Sequence, residues 1–381
     1  MQTILSATQV FDGTRMRAHA SVALTDDGRI GELYLAGSPL PSDAQVLDLG
    51  TGVLAPGLVD LQVNGGAGLM VGSQTDAHQL ARICTAHARL GACAILPTLI
   101  TDSPEVTRQV IAAGIDAARN QVAGFAGLHL EGPHLDVARK GAHDARFIRQ
   151  MTSDDLSLLC DARQELPALM VTLAPEAVSS SQIAALAEAG VIVSLGHSAC
   201  SAEQANAAFA AGARAVTHLF NAMGALHSRA PGLVGAALTS SCVAGIIADN
   251  VHVSQECLQV ALQMKTPETL FLVTDAMAVA GTTLEEFALN GRRILRRQGR
   301  LTLDDGTLAG ADISLPGAMA HLIGLGVSPE RALSMASRIP ADVIGAWGLG
   351  RLEAGASAHL VFLDHNWIPR HVWQGGVAVP L

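Results

Sequence analysis

Between residues 51 and 340 the chain repeats one pattern eight times: an apolar run of strand length, then an alanine-rich stretch of helical length. The strand-like runs are GLVDLQVNG (57–65), AILPTLIT (94–101), AGLHLEG (126–132), ALMVTLAPE (168–176), VIVSLGHS (191–198), AVTHLFNA (215–222), AGIIADNVHV (244–253) and LFLVTDA (270–276). Helical stretches such as AHQLARICTAHARLG, EVTRQVIAAGIDAAR and SAEQANAAFAAGA lie between them, and LPGAMAHLIGLG and SPERALSMASRI follow the last. Alternation of this kind implies parallel strands, because only a crossover helix brings the chain back to the same edge of a sheet. Eight such units predict an α/β fold of the (β/α)8 TIM-like barrel type.

The two flanks read differently. Residues 1–50 alternate short apolar runs with Asp-Gly and Gly-Ser-Pro turns, and after Pro340 the chain returns to short strands in AHLVFLD and HVWQGGVAV. The economical arrangement is a small β-sandwich domain formed by both termini, with segments 1–54 and 346–381 packed beside a barrel spanning 55–345. A composition of 49% hydrophobic and 15% charged residues supplies the core that this plan needs.

Charge and cysteine usage narrow the function. A formal net charge of −10 disfavours nucleic acid, whose phosphates call for clustered cations. The densest basic run, Arg292-Arg293-Ile294-Leu295-Arg296-Arg297, alternates as an exposed strand would. Six cysteines without a CxxC spacing read as buried thiols of a reducing compartment. With no apolar stretch of eighteen residues and no basic-then-apolar leader, the expectation is a cytoplasmic protein without a membrane partner.

In a barrel of this class, chemistry comes from the C-terminal ends of the strands. There the runs present Glu131, His197, His218, Asp249, His252 and Asp275. Singly, each has a plain structural reading, a core histidine or a capping aspartate. Together, Glu131, His197 and His218 match the three-ligands-plus-water pattern of catalytic zinc, whose chemistry is to bring the pKa of water towards neutrality. His129 lies on the same strand face as Glu131 and is either a further ligand or, the favoured reading, a packing group behind the site. Asp275 ends an apolar strand, where a carboxylate can take a proton from water and pass it to a leaving amine.

The ordered motifs LHLEGPH, RKGAHD, VSLGHS, THLFNAM, RAPGLVGAAL, IIADNVHV and LVTDAM resemble the amidohydrolase superfamily, specifically its N-acetylglucosamine-6-phosphate deacetylase branch. The likeness runs from APGLVDLQVNGG (55–66) to GRLEAGASAHLVFLD (350–364). It implies hydrolysis of the acetamide of N-acetylglucosamine 6-phosphate to glucosamine 6-phosphate and acetate. The resemblance implies one divalent ion per subunit, zinc or alternatively Fe(II), Co(II) or Mn(II), held by Glu131, His197 and His218. Asp275 is then the general base and acid, and His143 polarises the acetyl carbonyl. Substrate contacts map onto Ala142, Asn221, Ala222, His252, Leu308 and Arg229, the last reaching the neighbouring subunit's site in a homodimer.

Three departures sharpen the expectation. Gln62-Val63-Asn64 stands where many superfamily members carry HxH, so a second metal is not expected and the two amides can instead hydrogen-bond across the mouth. Strand four reads LMVTLAPE and ends without the lysine that bridges two metals in hydantoinase-like relatives. Ala311-Asp312 follows Leu308-Ala309-Gly310 where relatives often have serine. The competing readings are a deacetylase for a related sugar phosphate such as the galactosamine epimer, and a barrel that binds sugar without turnover. In the 134–150 segment, His134, Asp136, Arg139 and Lys140 are expected in a solvated loop that returns Ala142 and His143 to the acetyl group.

Overall fold

The computed structural model describes residues 3–381. Its centre is a sheet of eight parallel strands in sequential order: Leu58–Val63, Ala92–Ile100, Leu128–Glu131, Leu169–Leu173, Ile192–Leu195, Ala215–Val216, Val243–Ile246 and Leu270–Leu272. All eight overlap the expected runs, the second and seventh starting two and one residues earlier, and each ends before its run does. The hydrophobic pattern is therefore longer than the hydrogen-bonded strand, and the surplus forms the turns that carry the polar groups. Every residue of the second strand is buried, as a strand covered on both faces requires. Crossover helices begin on side-chain caps: Asp76, Ser103, Thr152, Ser179, Ser201 and Ser254 each accept a backbone N–H from the first turn.

The ring closes between strands eight and one. A bridge pairs Val63 with Ala276, and the fully buried Asp60 spans the seam. Its Oδ2 accepts from the Thr274 hydroxyl at 2.5 Å, while Oδ1 accepts the backbone N–H groups of Gln62 and Thr274 at 3.2 Å each. Burial pushes this carboxyl up to about 7 against those donors.

Both chain ends share one six-stranded sheet, in which Leu360–Leu363 pairs with Val53–Pro56, and Val53–Pro56 with Gln9–Phe11. A four-stranded sheet of N-terminal strands lies against it. Leu5, Val22, Ile30, Leu54, Leu360, Phe362 and Trp373 form the apolar layer between them.

One element was not anticipated. Residues 286–311 form a four-stranded antiparallel sheet inserted after strand eight. Its inner face, Leu289, Ile294, Leu301, Leu303 and Ala309, packs on Ile100, Met277 and Val279 at the barrel mouth. The basic run is a strand of this sheet, as expected, yet it is not simply exposed: Ile294 is fully buried and Arg292 donates to the Ala142 carbonyl.

Replacing Asp60 by alanine strands one hydroxyl and two backbone donors inside the barrel. We expect a loss of about 2–4 kcal/mol, read as a lower denaturant midpoint. Asp60→Asn, which still accepts at one oxygen, loses less.

Candidate active site

The site is built at the mouth by residues placed just beyond their strands. Glu131 is the last residue of strand three, while His197, His218 and Asp275 follow the ends of strands five, six and eight. These three have φ of +48°, +30° and +52°. A left-handed turn costs a non-glycine residue about 1–2 kcal/mol, and here it swings each side chain over the barrel axis. Gly132 (φ +89°) follows Glu131, and a Cβ there would lie 2.2 Å from the Thr101 hydroxyl, so this turn requires glycine.

Glu131 Oε1 lies 2.9 Å from His218 Nε2 and 3.2 Å from His197 Nε2, and the two imidazole nitrogens are 3.1 Å apart. Ligand atoms at about 2.0–2.1 Å from a tetrahedral zinc sit about 3.3–3.4 Å from one another. The three atoms thus form a face that a divalent ion fits with small outward shifts. His197 Nδ1 is 2.8 Å from the Arg139 carbonyl, which can only accept. Nδ1 therefore carries a proton, so release of the proton that Nε2 shares with Glu131 leaves an Nε2 lone pair to ligate. Burial would raise Glu131, but hydrogen bonds from His197 and His218 overcome it and hold the carboxyl well below its usual range. This is a pocket that favours positive charge at one point.

His143 also reaches this cluster, with Nε2 3.8 Å from Glu131 Oε2, and Glu131, His143 and His197 by themselves are close enough to hold an ion. Tautomer chemistry separates its role from that of His197. The backbone N–H of Thr101 donates to His143 Nδ1 at 3.2 Å, with the Thr101 hydroxyl at 2.8 Å from the same atom. Nδ1 is an acceptor, so Nε2 carries the proton and points into the site as a donor. Burial, then the neighbouring His197, pushes His143 down to about 3, which keeps the ring neutral. His129 is spent elsewhere: Nδ1 donates to the Leu61 carbonyl at 2.9 Å and Nε2 accepts from Thr172 at 2.7 Å. Thr172, Thr217 and Ser194 continue this buried hydroxyl chain at 2.6 Å steps beneath the site. The packing reading of His129 accords with that geometry.

Gln62 and Asn64 do hydrogen-bond across the mouth. Asn64 Nδ2 donates to Asp275 Oδ1 at 2.6 Å, and Gln62 Nε2 reaches Asp275 Oδ1 at 3.2 Å and Glu131 Oε1 at 3.1 Å. With both amides on Oδ1, Oδ2 is the oxygen left to exchange a proton. Burial, then the Glu131 charge, raises Asp275 to about 6.

A cavity of about 300 Å³ opens above these groups, in the range that holds small molecules. Ala142, Asn221, Ala222, His252 and Leu308 all line it, together with Met277 and Leu289. His252 is aimed by Asp249, whose Oδ2 accepts from Nδ1 at 2.6 Å, leaving Nε2 for a ligand. Arg229 is not brought into the cavity of its own chain: it sits on the exposed tip at 225–230. The solvated-loop expectation for 134–140 is corrected at two positions. His134 is buried, 3.2 Å from the Arg149 carbonyl and 3.9 Å from Asp155, because the chain turns back under the loop rather than away from it. Arg139 lines the cavity. Sequence reasoning also missed Thr101 and Arg292. Neither carries a motif, and both act through contacts between residues distant in the chain.

Residues 53–379 match the Amidohydrolase family. The chain belongs to that family. Among similar proteins are an N-acetylgalactosamine-6-phosphate deacetylase from Shewanella sp. strain ANA-3, 36% identical over 98% of this chain and 95% of the relative, and an N-acetylglucosamine-6-phosphate deacetylase from Haemophilus influenzae, 33% identical over 91% of each. A solved structure of a mutant N-acetyl-D-glucosamine-6-phosphate deacetylase from Mycobacterium smegmatis, in complex with N-acetyl-D-glucosamine 6-phosphate, superposes with a TM-score of 0.92 at 29% identity over the whole of both chains. In this amidohydrolase the donor set of Glu131, His197 and His218 fits the metal dependence typical of the family.

The tautomers make a specific prediction about metal content. Glu131→Ala and His218→Ala purify with much less than one equivalent of metal, whereas His143→Ala retains it. Elemental analysis of the purified variants checks this, and metal loss in His143→Ala with retention in His218→Ala would reverse the assignment.

Proposed function

We propose that this amidohydrolase hydrolyses the acetamide of N-acetylglucosamine 6-phosphate, giving glucosamine 6-phosphate and acetate. The observation that carries the reading is the meeting, in one cavity, of three kinds of group. These are a lone-pair set suited to a cation, a neutral imidazole with its N–H aimed at the same point, and a carboxylate clamped by two amides. Amide hydrolysis needs all three functions, and a barrel that only binds sugar needs none of them.

Glu131, His197 and His218 would hold one divalent ion, zinc in this reading, whose contribution when bound is Lewis acidity and a water of lowered pKa. Asp275 takes a proton on Oδ2 and delivers it to the departing nitrogen; Asn64 and Gln62 hold the carboxylate in place for both transfers. His143 donates from Nε2 to the acetyl oxygen as negative charge builds there. It is neutral and positioned in advance, so it need not reorganise in the transition state. Gln62 and Asn64 fill the position of a second metal site, consistent with one ion per subunit. His252, oriented by Asp249, faces the sugar phosphate, and Ala142, Asn221, Ala222 and Leu308 surround the ring.

Arg229 acts in trans in this proposal. Its exposed tip projects from one subunit to cap the phosphate in a partner's cavity, making the working unit a homodimer. Six free cysteines suit a reducing cytoplasm, and no helix among the described residues is long and apolar enough to cross a membrane.

The galacto epimer stands as a second reading, because a relative of 36% identity carries that name. Rates on the two sugar phosphates, measured side by side, decide between them. A kcat/KM favouring the galacto compound overturns the gluco assignment.

Further outcomes follow from the geometry. Asp275→Asn keeps its metal and loses about 10²–10⁴-fold in kcat. Because the carboxylate is the active form, kcat/KM is full at higher pH and falls as pH drops through the Asp275 pKa. That pKa is about 6 without metal, and a bound cation lowers it. The acid limb of the metal-loaded enzyme therefore lies below about pH 6.

If Arg229 works across the interface, inactive Arg229→Ala and Asp275→Asn chains complement each other. Half of randomly mixed dimers pair the two chains, each with one intact site, so about a quarter of wild-type activity returns. No recovery after subunit exchange would place Arg229 outside the partner's site.

A further inference from the structure

We infer that Arg139 is a phosphate ligand supplied by the same chain, closing over the distal end of the substrate from the metal side. The inference rests on the reading above that the substrate is a sugar 6-phosphate. It concerns a residue that the motifs left in solvent.

Among the described residues, Arg139 is the only lysine or arginine lining the cavity, in a chain of net charge −10. Its Nε is buried and has no hydrogen-bond partner, although a guanidinium donor enclosed without an acceptor is costly. Nearby arginines are committed: Arg149 to Asp155, Arg292 to the Ala142 carbonyl and Arg296 to Asp312. No carboxylate is available to Arg139. Asp136 caps its own turn through the Ala138 N–H, Glu176 is taken by Ser198 and Ala199, and Glu131 and Asp275 belong to the reacting centre.

The backbone of this residue is not loose. The Arg139 carbonyl accepts from His197 Nδ1 at 2.8 Å, and the Asp136 N–H donates to the His197 carbonyl at 2.9 Å. From that anchor the guanidinium extends towards the turn after strand six, where a Cβ on Gly224 would lie 4.0 Å from Nη2. Gly224 is two residues beyond Ala222, on the cavity wall assigned to the sugar. Arg139 therefore bridges from a metal ligand to the turn that receives the far end of the substrate, with an unfilled donor inside. The two terminal nitrogens of Arg139 are not enclosed as Nε is, and a phosphate can take both in the forked geometry that guanidinium favours, whereas an uncharged hydroxyl cannot match that charge.

The test is the ratio of kcat/KM on N-acetylglucosamine 6-phosphate to that on unphosphorylated N-acetylglucosamine, in metal-loaded wild type, Arg139→Met and Arg139→Lys. Loss of one charge-assisted pair lowers the ratio about 10- to 100-fold in Arg139→Met. Arg139→Lys, which keeps the charge and loses the fork, lies between. Competitive inhibition by inorganic phosphate weakens by a similar factor, and metal content stays at the wild-type level. A ratio unchanged in Arg139→Met, or an equal fall on both sugars through a disturbed His197, overturns the inference. If wild type itself shows no preference for the phosphorylated sugar, the underlying substrate reading fails first and this inference falls with it.

Discussion

Glu131 is a carboxylate in the interior of a barrel, held ionised by two imidazoles within 3.2 Å. An isolated buried charge is far too costly to persist, so its surroundings must offer positive charge and donors from every side. His197, His218 and Gln62 do so from three different strands. That one requirement organises the mouth. Strands one, three, five and six must end at the same level, and the turns beyond them must bend inward. A divalent ion held by Glu131, His197 and His218, as proposed above, would meet the electrostatic demand better than shared protons do, because it would serve all three atoms at once.

The same logic assigns three of the four histidines around the mouth. His129, His143, His197 and His218 all lie in or around the barrel mouth, and any of them could be proposed as a ligand. What distinguishes them is the partner of the second ring nitrogen. A carbonyl on Nδ1 leaves His197 with Nε2 to ligate once its shared proton is released, a backbone N–H on Nδ1 leaves His143 with a proton there, and partners on both sides leave His129 with neither. Three chemical roles follow from four hydrogen bonds, each made to a residue at least 42 positions away.

This explains which parts were legible in the sequence. The eight strands could be read because parallel barrel strands are apolar on both faces, as in Ala92–Ile100, and their periodicity needs no tertiary knowledge. Glu131, His197, His218 and Asp275 stood out in the sequence because four polar residues end apolar runs of one barrel, a coincidence that the plain structural reading of each residue singly does not explain. What could not be read is whatever depends on a partner distant in the chain. The pairing of Thr101 with His143 is one example. The sheet at 286–311 is another, since its short amphipathic strands look like any surface meander until Met277 and Ile100 are seen beneath it. His134 and Arg139 were misplaced for a related reason: a charged run near a Gly-Pro turn has the composition of a solvated loop, and only the staples to His197 and Arg149 draw it inward.

The segment after Glu131 and the inserted sheet are therefore one device. The loop backbone is tied to His197 at Asp136 and Arg139, its far end is set by Thr101 through His143, and the sheet holds it from above where Arg292 binds the Ala142 carbonyl. Any ligand entering the cavity meets a wall connected at both ends to the reacting centre. Contacts to the remote part of a substrate can then be felt at His197 and His143 without a separate moving domain, because the residues between them are few and directly hydrogen-bonded. Binding energy from a distal group is in that case available to align the acetyl carbonyl, which is how an enzyme converts recognition into rate rather than affinity alone.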